Sequence, residues 1–276
     1  METEPKIYNL KNDIIFKTFF SRKGNEIFLK DFLNALLGIE IEKISIREEV
    51  NLEQLCVEEK GGRLDLQAEL NDGIIVDIEL QIENKHNIEK RTTAYSSKTM
   101  SRSVGRGEKY ENIKQVIMVN ILDYELFEYE EYVSNTVTVL EKHRECEVIS
   151  LIKYCFVELP KFRKQHPDIN NKLNQWLAFL DDTDRGLIKM AEEKNKVLQK
   201  ARIEMNYLTG DEAVRRLAEL REKWEMDRIS DLSYAEKKGR KEKAEEIAKK
   251  LLKKKVEINE IIEITGLTKE EIEKLK

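Results

Sequence analysis

The sequence predicts an α/β protein: a mixed β-sheet flanked by helices, followed by a helical C-terminal arm. Three observations carry this expectation. Residues 63–83 alternate apolar and polar side chains on either side of an Asn71-Asp72-Gly73 turn, the period-two pattern of a hairpin with one buried face. Residues 113–122 (IKQVIMVNIL) form the most apolar short run, of a length that suits a central buried strand. From Asp184 onward only helical periodicity is visible, without proline.

Composition narrows the function classes. The chain has 276 residues, 40% hydrophobic and 37% charged, enough for a substantial core under a heavily charged surface. A net charge of −5 excludes global attraction to nucleic acid, so any basic patch must be local. Cys56, Cys146 and Cys155 form no CxxC pair, and His86, His143 and His166 have no ligand spacing, which points to reduced structural thiols. Without a signal peptide or an apolar run approaching ~20 residues, a cytoplasmic protein with no membrane association is expected.

Taken in order, residues 9–20 read as a helix capped by Asn9 or Asn12, with Ile15, Phe16, Phe19 and Phe20 as its buried stripe. Asp13 and Lys17 share a face at i,i+4. A second helix spans about 24–37 and stops at Gly38. Residues 41–50 alternate as a first strand, and the hairpin follows. From Asn87 to about Val104 the pattern is helical, and Arg91, Tyr95, Lys98 and Arg102 form one mostly basic stripe. A loop at 105–110 contains Lys109 and has neither Walker nor dinucleotide spacing. After the apolar run, strands are expected at 132–140 and 147–158, then a helix with Leu173, Trp176, Leu177 and Leu180 on one face.

In the C-terminal region, residues 237–255 hold ten Lys/Arg against three Glu, a local charge of +7. Three readings stay open for this amphipathic segment: a solvated or dimer-forming helix, a nucleic-acid contact, and a membrane-surface helix. Two short helices joined at Gly266 end the chain, the second with a Thr268–Glu271 capping box. Helix-turn-helix geometry is compatible with them, but the second helix is acidic, which favours a docking element.

The hairpin carries the chemistry. A two-residue loop would set Asp65 opposite Leu80 and mix the two faces. A three-residue loop, with Gly73 left-handed, pairs Leu66 with Ile78 and Asp65 with Glu79. Directly opposed carboxylates repel unless a cation lies between them. Gln81, Asp77 and Arg63 extend the same face, and oxygen donors of this kind suit Mg2+. Asp13 adds a further carboxylate if its helix packs across the end of the sheet.

Asp65 followed after thirteen residues by Glu79-Leu80-Gln81 resembles the PD-(D/E)XK nuclease superfamily. The segments NDIIFKTFF, LDLQA, DGIIVDIELQ, RTTAYSSK, GEKYENIKQVIMVNIL, ELPKF, NQWLAFL and EITGLTKEEIEKL resemble the Rpn family of recombination-promoting nucleases and transposases, over nearly the whole chain. The resemblance implies a restriction-endonuclease-like core and Mg2+-dependent DNA cleavage. It implies Asp65 and Glu79 as metal ligands, assisted by Asp13. Gln81 stands where the superfamily usually has lysine, an E-X-Q variant in which glutamine orients the attacking water without supplying charge. Lys17, Lys98 or Lys109 would then supply that charge, and Arg91 and Tyr95 would hold the phosphate. The expected organisation is a nuclease core at 1–125, an extension of it at 126–183 and a helical arm at 184–276, with homodimerisation through the arm as an option. The rival expectation is a nuclease-fold module that binds DNA or a protein without cutting.

Overall fold

The computed structural model describes residues 8–47, 66–71, 73–148 and 150–275. The first helix, α1 (Asp13–Ser21), starts at Asn12, whose side chain accepts hydrogen bonds from the Ile14 and Ile15 amides. The second, α2 (Glu26–Leu37), ends at Gly38 with φ +63°, a left-handed cap that costs glycine no Cβ clash.

The sheet contains β1 (Ile44–Ile46), β2 (Leu66–Leu70), β3 (Ile74–Gln81), β4 (Gln115–Leu122), β5 (Val133–Asn135) and β8 (Ile152–Glu158). Among the described residues its order is β1-β2-β3-β4-β8-β5. The first three strands are antiparallel, β3, β4 and β8 run parallel, and β5 returns antiparallel to β8. The crossover from β3 to β4 carries α3 (Ile88–Arg102), as a parallel pair requires. This is the mixed sheet flanked by helices that the sequence predicts, with residues 113–122 supplying the interior strand β4. The alternation expected over 132–158 resolves differently. β5 and β8 join the main sheet, while β6 (Val139–Leu140) and β7 (His143–Glu147) pair apart from it as a small ribbon.

The hairpin has the register set by a three-residue turn, with Leu66 opposite Ile78. Its left-handed residue is Asn71 at φ +49°, not Gly73. Asparagine tolerates that region, and its side chain adds a second function. Asn71 Oδ1 accepts from the Glu42 and Lys43 amides at 2.8 and 3.1 Å, and Nδ2 donates to the Glu40 carbonyl at 3.0 Å. The turn thereby ties the hairpin to the approach of β1.

Leu66, Ala68, Leu70, Val76, Ile78, Val119, Ile121 and Val157 form the apolar face of the sheet. Against it pack α1 and α2, and α5 (Lys172–Asp181) packs on α2 within the same core. Trp176 of α5 is fully buried among Phe32, Phe179 and Phe20, with ring centroids at 5.9, 6.0 and 6.3 Å. Its indole N–H donates to Asp31 at 2.9 Å, so the polar handle is satisfied too. The short α4 (Leu159–Lys164) connects β8 to this layer through Leu159 and Phe162. Then α6 (Arg185–Lys194), α7 (Lys196–Gly210) and the start of α8 (Glu212–Lys253) add Ile188, Ala191, Leu198, Ala201, Leu208, Val214 and Ala218 to the same core.

Two compact units result, Met1–Glu219 and Leu220–Lys276, and the chain passes from one to the other within α8. In the second unit the end of α8 packs with α9 (Ile258–Thr265) and α10 (Lys269–Glu273) around Ala248, Ile261, Leu267 and Ile272. The expected capping box is present, with Thr268 and Glu271 bonded reciprocally. Lys241 beside Glu271, helped by the Thr268 amide, holds that carboxyl down at about 2. No described helix is long and apolar enough to cross a membrane. Burial in β8 pushes the Cys155 thiol up to about 12, which makes it an inert packing group.

Candidate active site

The second face of the sheet is polar along β2 and β3. Strand periodicity puts Gln67 and Glu69 on it, then Asp77, Glu79 and Gln81. It is covered by α3, which docks Met100 against Ile75, Val116 and Met118, and Ile88 against Leu122 and Phe156. Between these apolar ends the interface is hydrogen-bonded. Asn120 Nδ2 donates to Thr92 Oγ1 at 3.3 Å, and the Ser96 and Tyr154 hydroxyls lie 3.2 Å apart.

Glu79 sits under the first turns of α3 and is only 2% exposed. A buried carboxylate must be paired or strongly hydrogen-bonded. Here Arg91 Nη2 and Gln81 Nε2 both donate to Glu79 Oε1. Arg91 Nη1 also donates to Gln81 Oε1 at 3.3 Å, so one guanidinium spans the acid and the amide of the E-X-Q pair. Tyr95, one helical turn beyond Arg91, places its ring centroid 6.0 Å from the Arg91 Cζ. The sequence-predicted Glu79, Gln81, Arg91 and Tyr95 are therefore brought together.

The remaining candidates are not joined to this cluster by any hydrogen bond among the described residues. Asp65 and its expected pairing with Glu79, together with Arg63, fall outside the described residues. Asp77 is buried on the same face, its Oδ2 accepting from Gln67 Nε2 at 3.5 Å. Asp13 opens α1, where its Oδ1 accepts from the Ile14 amide at 2.9 Å. That helix packs by Phe16 and Phe19 on the apolar side of the sheet, with the buried Lys17 one turn along. Lys98 is exposed on α3, two turns past Arg91. Lys109 precedes β4, whereas Glu79 lies beside Asn120 near the far end of that strand.

Three further groups belong to the site and were not singled out by sequence reasoning. Asn120 is fully buried in register with Glu79, and its Oδ1 has no hydrogen-bond partner among the described residues. Its signal was a polar residue interrupting the apolar run 116–122. Tyr124 follows β4, and burial, then the nearby Glu79 carboxylate, push its phenol up to about 12 despite Arg91. The third is Glu158 at the end of β8, which is fully buried. Its Oε1 accepts from the Leu126 and Phe127 amides at 2.5 and 3.2 Å, and its Oε2 from Lys161 Nζ at 2.9 Å. It thus fixes the loop that carries Tyr124.

Among the described residues no three His, Cys, Asp or Glu side chains converge. The donor chemistry nevertheless fits a hard cation: a buried carboxylate, the Gln81 amide oxygen already facing a positive charge, and the Asn120 oxygen, which has no partner among the described residues.

Comparison with protein-family models gives two matches. Residues 10–235 match the PD-(D/E)XK nuclease family transposase model. Residues 241–276 match the C-terminal HTH domain of the Rpn/YhgA-like nuclease family. No curated protein and no solved structure matches the chain. The first match spans most of the sequence and contains the whole Glu79–Gln81–Arg91 cluster. This chain belongs to the PD-(D/E)XK nuclease family of transposases.

Proposed function

We propose that the protein is an Mg2+-dependent DNA endonuclease whose site is built on Glu79 and Gln81. The observation that carries this reading is a buried carboxylate and its E-X-Q glutamine gathered about one positive charge, at the C-terminal ends of two parallel strands. Glu79 and Asp65 would hold Mg2+, with Asp13 assisting. Bound there, the ion supplies positive charge against the phosphodiester and makes a water more acidic. Gln81 uses its amide to orient the attacking water. Arg91 offers a planar fork for phosphate oxygens, and Tyr95 stacks beside it. Lys17, Lys98 and Lys109 are the cations proposed in place of the missing lysine, and Lys98 shares the exposed side of α3. Release of nicked circles from supercoiled plasmid, with Mg2+ and not with EDTA, tests the reading.

In the second unit, DNA contact falls to α8. Three of the five residues of α10 are glutamates, which oppose phosphate. Lys249, Lys253, Lys254 and Lys255 are exposed and form no ion pair among the described residues, whereas Lys243 and Lys250 are spent on Glu246. Reversing Lys253, Lys254 and Lys255 to Glu should weaken binding of a labelled duplex and reduce the slope of log K against log salt by about 1 for each lysine that neutralises a phosphate. Fluorescence anisotropy over a salt series measures this. An unchanged slope would exclude the lysines at the end of α8 and just past it as phosphate contacts.

A further inference from the structure

We infer that Arg91 and a divalent cation are alternative occupants of the Glu79–Gln81 oxygen pair, and that cation binding hands the Arg91 guanidinium over to the substrate phosphate. The inference rests on the metal-site reading above and adds a coupling between the two ligands.

The geometry is that of a cation clamp. Arg91 uses Nη2 on Glu79 Oε1 and Nη1 on Gln81 Oε1, the oxygens that would face a metal ion and the water it carries. Two positive charges cannot share those oxygens without strong repulsion, so the occupants exclude each other. Arg91 is also not locked in place. Its side chain is 22% exposed, and its buried Nε has no hydrogen-bond partner among the described residues. The Tyr95 ring, 36% exposed and one turn outward on the same helix face, gives the displaced guanidinium an aromatic surface to rest on. Freed from its carboxylate, the fork regains its full charge toward a phosphodiester. Cation and DNA should therefore bind with positive coupling that runs through Arg91, and coupling of this kind is reciprocal.

The test uses the full chain and two binding readouts, neither of which is cleavage. Mg2+ affinity is measured by calorimetry for wild type, Arg91→Met and Arg91→Lys. DNA affinity is measured by anisotropy with and without Ca2+, which takes the same oxygen donors. Removing the competitor should tighten Mg2+ binding about tenfold in Arg91→Met, with Arg91→Lys in between. The gain in DNA affinity on adding Ca2+ should shrink in Arg91→Met by a similar factor. The two changes have opposite signs, which a folding defect would not produce. Equal or weaker Mg2+ binding in Arg91→Met would overturn the competition and leave the metal site standing. Absence of Mg2+ binding in wild type and both variants would overturn the metal site and this inference together.

Discussion

Glu158→Ala should lower the unfolding free energy by about 3–5 kcal/mol, the range for breaking a buried ion pair from one side. Glu158 is fully buried, and its partner Lys161 is nearly so. The carboxylate answers three donors: Lys161 Nζ and the amides of Leu126 and Phe127. Alanine would strand an ammonium in the interior and orphan two backbone N–H groups at once. Among the described residues Lys161 keeps a position over the Tyr129 ring at 4.7 Å and a long bond to the Glu131 carbonyl at 3.5 Å. Urea titration at neutral pH measures the loss as a lowered midpoint at constant slope. Glu158→Gln keeps the shape and two acceptor positions and should cost less. A loss below about 1 kcal/mol in the alanine variant would mean that Lys161 finds another partner or reaches solvent.

The consequence reaches the site. The loop anchored by Glu158 carries Tyr124, whose phenol stays neutral beside Glu79. A loosened loop admits water to a carboxylate that is otherwise buried. Arg163 secures the start of the same loop through Asp123, and Lys11 joins the network at 3.6 Å from both Asp123 and Asp181.

The second large effect is on activity. Glu79→Gln removes the buried negative charge that Arg91 and Gln81 bind, while preserving volume. On the proposed mechanism it should cut the rate of Mg2+-dependent cleavage by about 10³ or more, the equivalent of several kcal/mol of transition-state stabilisation. Folding should survive, because the glutamine oxygen can still accept from Arg91 and Gln81. A retained melting temperature would show that the loss is chemical.

Much of this architecture is legible in the sequence because its signals are local. Alternation marks the hairpin, and parity requires that Leu66 face Ile78 if both apolar sets are to share one side. Asn12 and Gly38 announce their caps through chemistry that needs only neighbours. The turn is less readable. Both Asn71 and Gly73 can go left-handed, and what selects Asn71 is a set of hydrogen bonds to residues 40–43, far away in the chain. The stretch from 184 reads as a helical arm since its apolar positions are sparse. Ile188, Ala191, Leu198 and Ala201 nevertheless suffice to seat two helices on the core. A helical stripe marks Arg91 as a site residue, but its bond to Glu79 depends on how α3 crosses the sheet. No spacing encodes that crossing. Tyr124 and Glu158 are hidden for the same reason, because their meaning comes from strands β4 and β8 lying side by side.

The most direct measurement is nicking of supercoiled plasmid by purified wild-type, Glu79→Gln and Asp65→Ala proteins, each with Mg2+ and with EDTA. A metal-dependent nuclease built on these carboxylates should give open circles from wild type with Mg2+ alone, and either variant should nick at about a thousandth of that rate or less. Equal nicking by all three proteins, or cleavage that persists in EDTA, would contradict it.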